Sequence, residues 1–156
     1  MAGQSESELN AGSEANQIEI GELSPEIKNI IAARQEWLDL TTHFEKRGDV
    51  YLNIDKTFQQ EFKELIDKLG HPPSAHIRLF RTQDNNVPTI VHDSRLKRAL
   101  FIYPLHLLGG HAEVHSSHPG APGSISKELC VGSFVAFQDQ VVIDGVLDFL
   151  LVGVPK

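Results

Sequence analysis

The sequence predicts an α+β fold in which two N-terminal helices pack on one face of a mainly antiparallel sheet of about six strands. Between residues 24 and 70, apolar residues recur at spacings of three and four, as in amphipathic helices. From Ala75 onward the spacing changes to two, and β-branched and aromatic residues become frequent. The 156 residues suit one domain, which we place at residues 24–156, behind a disordered acidic leader at residues 1–23.

The leader is predicted from its composition. Residues 1–22 are rich in Ser, Gly, Asn, Gln and Glu and contain no Lys, Arg or aromatic residue. Such a segment buries too little apolar surface to offset the entropy of ordering it. The alternative is a peptide that folds on a partner, with Ile18, Ile20 and Leu23 as its anchors.

The first predicted helix begins at Ser24, a favourable cap, with Pro25 at the first helical position, and it ends at Gly48. Its buried stripe comprises Ile27, Ile30, Ile31, Arg34, Leu38 and Thr41.

The second predicted helix begins at Asp55 and ends at Gly70. Its apolar face comprises Phe58, Phe62, Leu65, Ile66 and Leu69. Between the helices, the alternation of Val50, Leu52 and Ile54 permits a short strand.

Seven segments with strand character follow: 75–82, 88–92, 96–103, 110–116, 128–138, 140–143 and 146–154. Residues 83–86 are predicted as a hairpin loop between the first two, and Asp144-Gly145 as a tight hairpin between the last two. Cys130 is predicted to be a buried, inert thiol in the middle of a strand. The apolar run at residues 146–152 must be buried on both faces, either inside the chain or in a homodimer.

Four of the eight histidines lie between residues 106 and 118. If residues 110–116 form a strand, His111, Glu113 and His115 share one face, and Ala112 and Val114 point to the other. Imidazole and carboxylate groups are ligands for divalent metals. Since residues four apart on a strand are separated by about 13 Å, one metal ion would use Glu113 with one of these histidines plus a ligand from elsewhere.

Three interpretations of this face stay open. The first is a solvated, hydrogen-bonded surface. The second is a divalent metal site formed by His111, Glu113 and His118. The third is a metal-free catalytic site formed by His111, Glu113 and His115. In the third case a histidine is the general base and Glu113 orients it. The serines nearby lie outside any Gly-x-Ser-x-Gly elbow, so no hydrolase serine is predicted among Ser116, Ser117, Ser124 and Ser126.

A basic segment between Arg78 and Arg98 is a second candidate for binding. Alternation places Arg78 with His76 and Phe80 on one face and Arg81 on the other, so the charges form no single stripe. One interpretation is an edge strand protected by charge from pairing with other chains. The other is a site for a phosphate or carboxylate ligand formed by Arg78, Arg98 and His106.

The charge distribution leaves an anionic ligand open. The chain has 14 basic and 21 acidic residues, but the first 26 residues hold six acids and no base. The remainder therefore carries 15 acids and 14 bases, a net charge of −1. This balance does not favour nucleic acid as a partner, and no apolar run is long enough to span a membrane.

The sequence thus predicts a small, soluble, cytoplasmic ligand-binding or regulatory domain with a polar, His-rich pocket on an antiparallel sheet. Its expected partner is a small molecule or a protein. The cofactor is unassigned, with a divalent metal as the candidate. The first alternative is a small enzyme that uses the face of His111, Glu113 and His115. The second is a protein-interaction module that acts through the acidic leader or the C-terminal hairpin.

Overall fold

Two antiparallel sheets pack face to face, and short helices cover the outer face of the larger one. The computed structural model describes residues 18–83, 87–92, 97–117 and 120–155. Within these residues there are eleven strands and four helices. The strands are β1 Glu19–Glu22, β2 Phe44–Arg47, β3 Val50–Asn53, β4 His76–Thr82, β5 Thr89–His92, β6 Lys97–Leu107, β7 Glu113–His115, β8 Ser126–Glu128, β9 Ser133–Phe137, β10 Gln140–Asp144 and β11 Leu147–Pro155. The helices are α1 Pro25–Ala32, α2 Gln35–Leu40, α3 Phe58–Glu61 and α4 Lys63–Leu69.

The chain crosses repeatedly between the two sheets. The large sheet has the order β1-β9-β6-β11-β4-β3-β2, and the small sheet has the order β5-β10-β7-β8. All neighbouring strands are antiparallel, which confirms the predicted pairing sense. Strands β4, β5, β6 and β7 lie alternately in the large and the small sheet, as in a jelly-roll sandwich.

Two apolar cores result from this layering. One lies between the sheets and includes Phe80, Val91, Val114 and Phe149, and the other lies between the large sheet and the helices. Strand β11 contributes to both, since Leu147, Phe149 and Leu151 face the small sheet while Leu150 and Val152 face the helices. The apolar run at residues 146–152 is therefore covered largely within this chain.

Both predicted hairpins are wrong in their pairing. Strand β4 lies in the large sheet and β5 in the small one, so residues 83–88 connect two layers instead of two neighbours. Likewise, β10 pairs with β5 and β7, whereas β11 pairs with β4 and β6. Gly145, with a φ of 125°, makes the turn between the sheets. Turn residues indicate where the chain reverses, but not which strand lies beside it.

The helical region is shorter and more interrupted than predicted. The first predicted helix divides into α1 and α2 and ends at Leu40, and residues 44–47 form β2. Thr41 has an extended backbone, and its hydroxyl donates to Asp55 Oδ2 and accepts from Asn53 Nδ2 at 3.2 and 3.1 Å. These bonds hold the chain where a helix would otherwise continue. The second predicted helix divides into α3 and α4, and it ends at Gly70 as predicted.

Three other predictions need correction. The sheet of about six strands is a sheet of seven plus a sheet of four. The predicted strand at residues 110–116 is only Glu113–His115. The one at residues 128–138 contains β9 and only the last residue of β8, which lies in the other sheet. Cys130 falls between β8 and β9 and is exposed rather than buried, because the chain leaves one sheet there for the other.

The predicted boundary at residue 23 falls after a strand. Residues Glu19–Glu22 form β1, which pairs with β9 at one edge of the large sheet. Residues 1–17 lie outside the described residues. In the described part of the chain, none of the helices has the length and apolar character needed to cross a bilayer.

Candidate functional site

An open cavity of about 280 Å³ lies where the edge strand of the small sheet faces the large sheet. We call it the sheet cleft. Strands β4 and β11 form its floor with Phe80, Phe149 and Leu151, and β5 and the β2–β3 turn form its sides. The polar residues that line it are Arg47, Asp49, Arg78 and His92.

Strand alternation aims Arg78 into the sheet cleft. Phe80, two residues along β4, belongs to the core between the sheets, and the Arg78 guanidinium lies 5.3 Å from the centre of its ring. Arg81, an odd number of residues away, faces the opposite side and binds Asp148. The predicted separation of Arg78 from Arg81 is therefore seen in the structure.

The β2–β3 turn brings the second guanidinium. Arg47 and Val50 are paired residues, so Gly48 and Asp49 form a two-residue turn between the strands. Gly48 has a φ of 63°, a conformation that suits glycine in such hairpins. The Gln83 side chain donates to the Gly48 carbonyl at 3.1 Å and ties the turn to the segment that follows β4.

The polar rim of the sheet cleft favours an anion. Of the described residues that line it, two carry a guanidinium group, one a carboxylate and one an imidazole. Arg47 is half-exposed and also binds Glu45 at 2.9 Å, so Arg78 is the cation closest to the apolar floor. Guanidinium groups bind carboxylates and phosphates through paired, charge-assisted hydrogen bonds.

A second cavity, of about 440 Å³, lies beside the helices and suits an anion less well. Its walls include Ile66, Asp67, His71 and Ile77. His71 Nε2 is 2.5 Å from the hydroxyl of Tyr103. Burial lowers the pKa of His71 and raises the pKa of Tyr103, so both side chains are neutral near pH 7 and share one hydrogen bond.

The predicted cluster on β7 lies on the outer face of the small sheet. Ala112 and Val114 are buried against the other sheet, so Glu113 and His115 point outward, as the alternation predicts. The two carboxylate oxygens of Glu113 lie 3.3 Å from His111 Nε2 and 3.4 Å from His115 Nε2.

Two further side chains join this cluster from β8. Glu128 Oε2 lies 3.4 Å from His111 Nδ1, and the Ser126 hydroxyl lies 2.7 Å from His115 Nδ1. Within the described residues, no group of three or more His, Cys, Asp and Glu side chains is placed to hold a metal ion. His118, the third predicted metal ligand, lies outside them.

Within the predicted ligand set of Arg78, Arg98 and His106, the structure separates Arg78 from His106. His106 Nε2 lies 3.2 Å from Asp39 of α2, and its Nδ1 lies 3.5 Å from Asp148 Oδ2. His106 is thus on the helix side of the large sheet, whereas Arg78 is on the side of the sheet cleft. Arg98 lies on β6, but its side chain is outside what the structure describes.

Sequence reasoning missed Arg47, Asp49, His92 and Ser126. Gly48 and Asp49 form a two-residue turn directly after Arg47, and the glycine at that position was a usable sequence signal for a hairpin. His92 reaches the sheet cleft because β5 is the edge strand of the small sheet, and strand order cannot be obtained from the spacing of apolar residues. Ser126 depends in the same way on the register between β7 and β8.

No protein-family model matches the chain, and no curated protein matches it in sequence. Solved structures do match its fold. The chain is similar to SnoN, described as a non-heme alpha ketoglutarate dependent epimerase from nogalamycin biosynthesis, with 12% identity and a TM-score of 0.53. The match covers 96% of this chain and 80% of SnoN.

A second match is a prolyl-4-hydroxylase from Pseudomonas putida, with 10% identity, a TM-score of 0.53, and coverage of 89% of this chain and 92% of the hydroxylase. A Streptomyces albus structure, HEPD with 2-hydroxyethylphosphonate and Fe(II) bound, matches with a TM-score of 0.38, and this chain covers only 19% of that chain's length. At these identities, SnoN and the hydroxylase show a shared two-sheet fold, the fold on which the sheet cleft is built.

Proposed function

We propose that the chain is a ligand-binding domain whose sheet cleft takes a small organic anion of the carboxylate class. The observation that carries the proposal is the convergence of Arg47 and Arg78 on one cavity with an apolar floor. The apolar floor packs against the carbon atoms of the ligand, and the guanidinium groups bind its negatively charged group.

The size of the cavity favours a small ligand. Sites for drug-sized molecules usually have volumes of about 300–1,000 Å³. The sheet cleft, at about 280 Å³ and open to solvent, lies at the lower limit of that range. A short aliphatic mono- or dicarboxylate suits this volume and these walls.

The comparisons add support for a carboxylate rather than a phosphate. The description of SnoN names alpha-ketoglutarate, a dicarboxylate of this size class. We carry over the ligand class only, since the two chains share 12% identity.

Whether the sheet cleft could hold a catalytic metal depends on the metal-ligating residues that line it. Non-haem iron sites typically use two histidines and one carboxylate around open coordination positions. Of the described residues, those that line the sheet cleft offer one histidine, His92, and one carboxylate, Asp49. This set falls one ligand short, so the proposal uses the arginines and includes no step at a metal.

Isothermal titration with succinate, alpha-ketoglutarate and inorganic phosphate tests the proposal. We expect saturable binding of at least one dicarboxylate, and binding weakened by roughly 10- to 100-fold in Arg78→Met, because charge-assisted hydrogen bonds contribute about 1.5–3 kcal/mol. Arg78→Lys keeps the charge but loses the planar fork, so its affinity should be intermediate.

Lys127→Met is the matched control, since Lys127 is an exposed cation on β8, at the opposite edge of the small sheet from β5. It should bind like the unaltered protein. Equal weakening in Arg78→Met and Lys127→Met would mean that only net charge matters. That result, or the absence of saturable binding to all three anions, would overturn the proposal.

A further inference from the structure

Ser126, His115 and Glu113 are placed in line on the outer face of the small sheet, away from the sheet cleft. The Ser126 hydroxyl lies 2.7 Å from His115 Nδ1, and the opposite ring nitrogen, Nε2, lies 3.4 Å from Glu113 Oε1. We propose that these three side chains form a nucleophilic site that hydrolyses small acyl esters, with Ser126 as nucleophile, His115 as general base and Glu113 as positioning residue. The proposal is independent of ligand binding in the sheet cleft.

The backbone enforces this order of side chains. His115 and Ser126 are paired residues on neighbouring strands, and Glu113 lies two residues before His115 on the same face of β7. Each group is therefore held by strand register rather than by a mobile loop. A nucleophile and base within hydrogen-bond reach, with the base oriented by a third group, is the arrangement that activates serine.

The three side chains differ in their exposure to solvent, and each exposure suits the proposed role. The His115 side chain is 6% exposed, the Glu113 side chain is 40% exposed, and Ser126 is an exposed residue. A shielded imidazole keeps its orientation, while an exposed hydroxyl can reach a substrate. His115 Nε2 is buried without an aligned hydrogen bond, so its contact with Glu113 is electrostatic. That contact favours the proton on Nε2 and leaves Nδ1 to accept the proton of Ser126.

The acidic groups around this cluster are costly for a purely structural surface. Glu113 and Glu128 are paired across β7 and β8, and like charges directly opposite each other destabilise a sheet. His111 lies between them, at 3.3 Å from Glu113 and 3.4 Å from Glu128. A structural pair of Ser126 and His115 would need neither carboxylate.

The open edge of β8 supplies a donor for the developing oxyanion. Strand β8 is the last strand of the small sheet. The N–H of Ser116 donates to the Ile125 carbonyl, and that of Leu129 donates to the Ala112 carbonyl, both at 2.9 Å. Because alternate residues of an antiparallel strand point their N–H groups to the partner, the N–H of Ser126 points away from β7. In serine hydrolases the amide of the nucleophile is itself one oxyanion donor.

The reaction follows from these positions. Ser126 Oγ attacks the acyl carbon and forms a C–O bond, while its proton passes to His115 Nδ1. The bond from the acyl carbon to the alcohol oxygen then breaks, and the proton passes from His115 to the departing alkoxide. Water, deprotonated by His115, cleaves the acyl-serine ester and restores the Ser126 hydroxyl.

Covalent labelling with an alkyl fluorophosphonate, followed by intact mass and peptide mapping, tests the proposal without requiring turnover. We expect one adduct, on Ser126, and its loss in Ser126→Ala. The matched control is Ser124→Ala, which removes a hydroxyl two residues away that donates to the Ser117 carbonyl at 3.1 Å. It should label like the unaltered protein.

The positioning role of Glu113 is tested by its rate effect. Glu113→Gln should slow labelling by at least roughly 10-fold without lowering the melting temperature, and Glu113→Asp should restore part of the rate. Because Glu113 is half-exposed, these variants keep the test valid even if substitution of the buried His115 unfolds the protein. Absence of an adduct, an adduct on another residue, or equal labelling rates in Glu113→Gln and the unaltered protein would overturn the proposal.

Discussion

The ion pair between Arg81 and Asp148 is the contact whose loss should cost the most stability. Asp148 is fully buried on β11, and its two oxygens accept from Arg81 Nε and Nη2 at 2.6 and 3.0 Å. The Arg81 guanidinium also lies 4.3 Å from the ring centre of Phe44. In Arg81→Met, the one partner left to the carboxylate among the described side chains would be the imidazole of His106, at 3.5 Å.

The expected loss follows from this geometry. Removal of one partner of a buried ion pair typically costs about 3–5 kcal/mol, because the other charge stays buried without compensation. The lower end applies here, since the Arg81 side chain is 25% exposed and His106 remains close. The lost contact with Phe44 adds about 0.5–1 kcal/mol. We therefore expect a loss of about 3–4 kcal/mol and, for a domain of this size, a fall in Tm of about 6–16 °C.

Urea denaturation monitored by circular dichroism measures this loss. The double variant Arg81→Met/Asp148→Leu should recover most of it, because no buried charge remains. Lys68→Met is the matched control, since it breaks only the exposed pair with Glu26 and should change the free energy of unfolding by less than about 1 kcal/mol. A loss in Arg81→Met as small as that in Lys68→Met, or no recovery in the double variant, would refute the reasoning.

Two further predictions concern pH and the turn between the sheets. Because burial lowers the pKa of His71, the unfolded chain takes up a proton near pH 6.5 that the folded chain does not. The free energy of unfolding should therefore fall as pH drops through about 6.5, and denaturation curves between pH 7.5 and 5 should show a shallower dependence in His71→Gln. Gly145→Ala should lower stability by about 2–4 kcal/mol in thermal unfolding, because its φ is 125° and a Cβ there would lie 2.7 Å from the His111 carbonyl oxygen.

Each of these has an outcome that would count against it. Parallel pH profiles of the unaltered protein and His71→Gln would show that His71 is not the group responsible. For the turn, Gly123→Ala is the control, since Gly123 also has a positive φ, of 79°, but has open space around it. Equal losses in Gly145→Ala and Gly123→Ala would show that backbone conformation alone, and not the contact between the sheets, accounts for the effect.

The sequence predicted which face of a strand each side chain occupies better than it predicted which strands pair. The alternation around Arg78 and Arg81, and around Ala112, Glu113 and Val114, placed these side chains on the faces where the structure has them. This works because successive strand residues must point to opposite sides of any sheet. The mainly antiparallel sheet was predicted from a different observation, the run of successive strands that follows the two helices.

The local alternation of apolar and polar residues could not predict which strands pair. Strand β1 pairs with β9, more than 100 residues later, and the strands on either side of Gly145 pair with other strands rather than with each other. A period of two is satisfied equally by one broad sheet and by two packed sheets, so the second sheet was missed. The sheet cleft and the line of Ser126 and His115 both depend on those pairings, which explains why neither was predicted.

Two-dimensional NMR of the ¹⁵N-labelled protein during titration with succinate and alpha-ketoglutarate tests most directly whether the sheet cleft is the binding site. Binding there predicts that the largest saturable shifts fall on the amides of Gly48, Asp49 and His92, with the β8 amides unmoved. Saturable shifts centred on β7 and β8, or shifts that Arg78→Met leaves unchanged, would contradict the assignment of the ligand site.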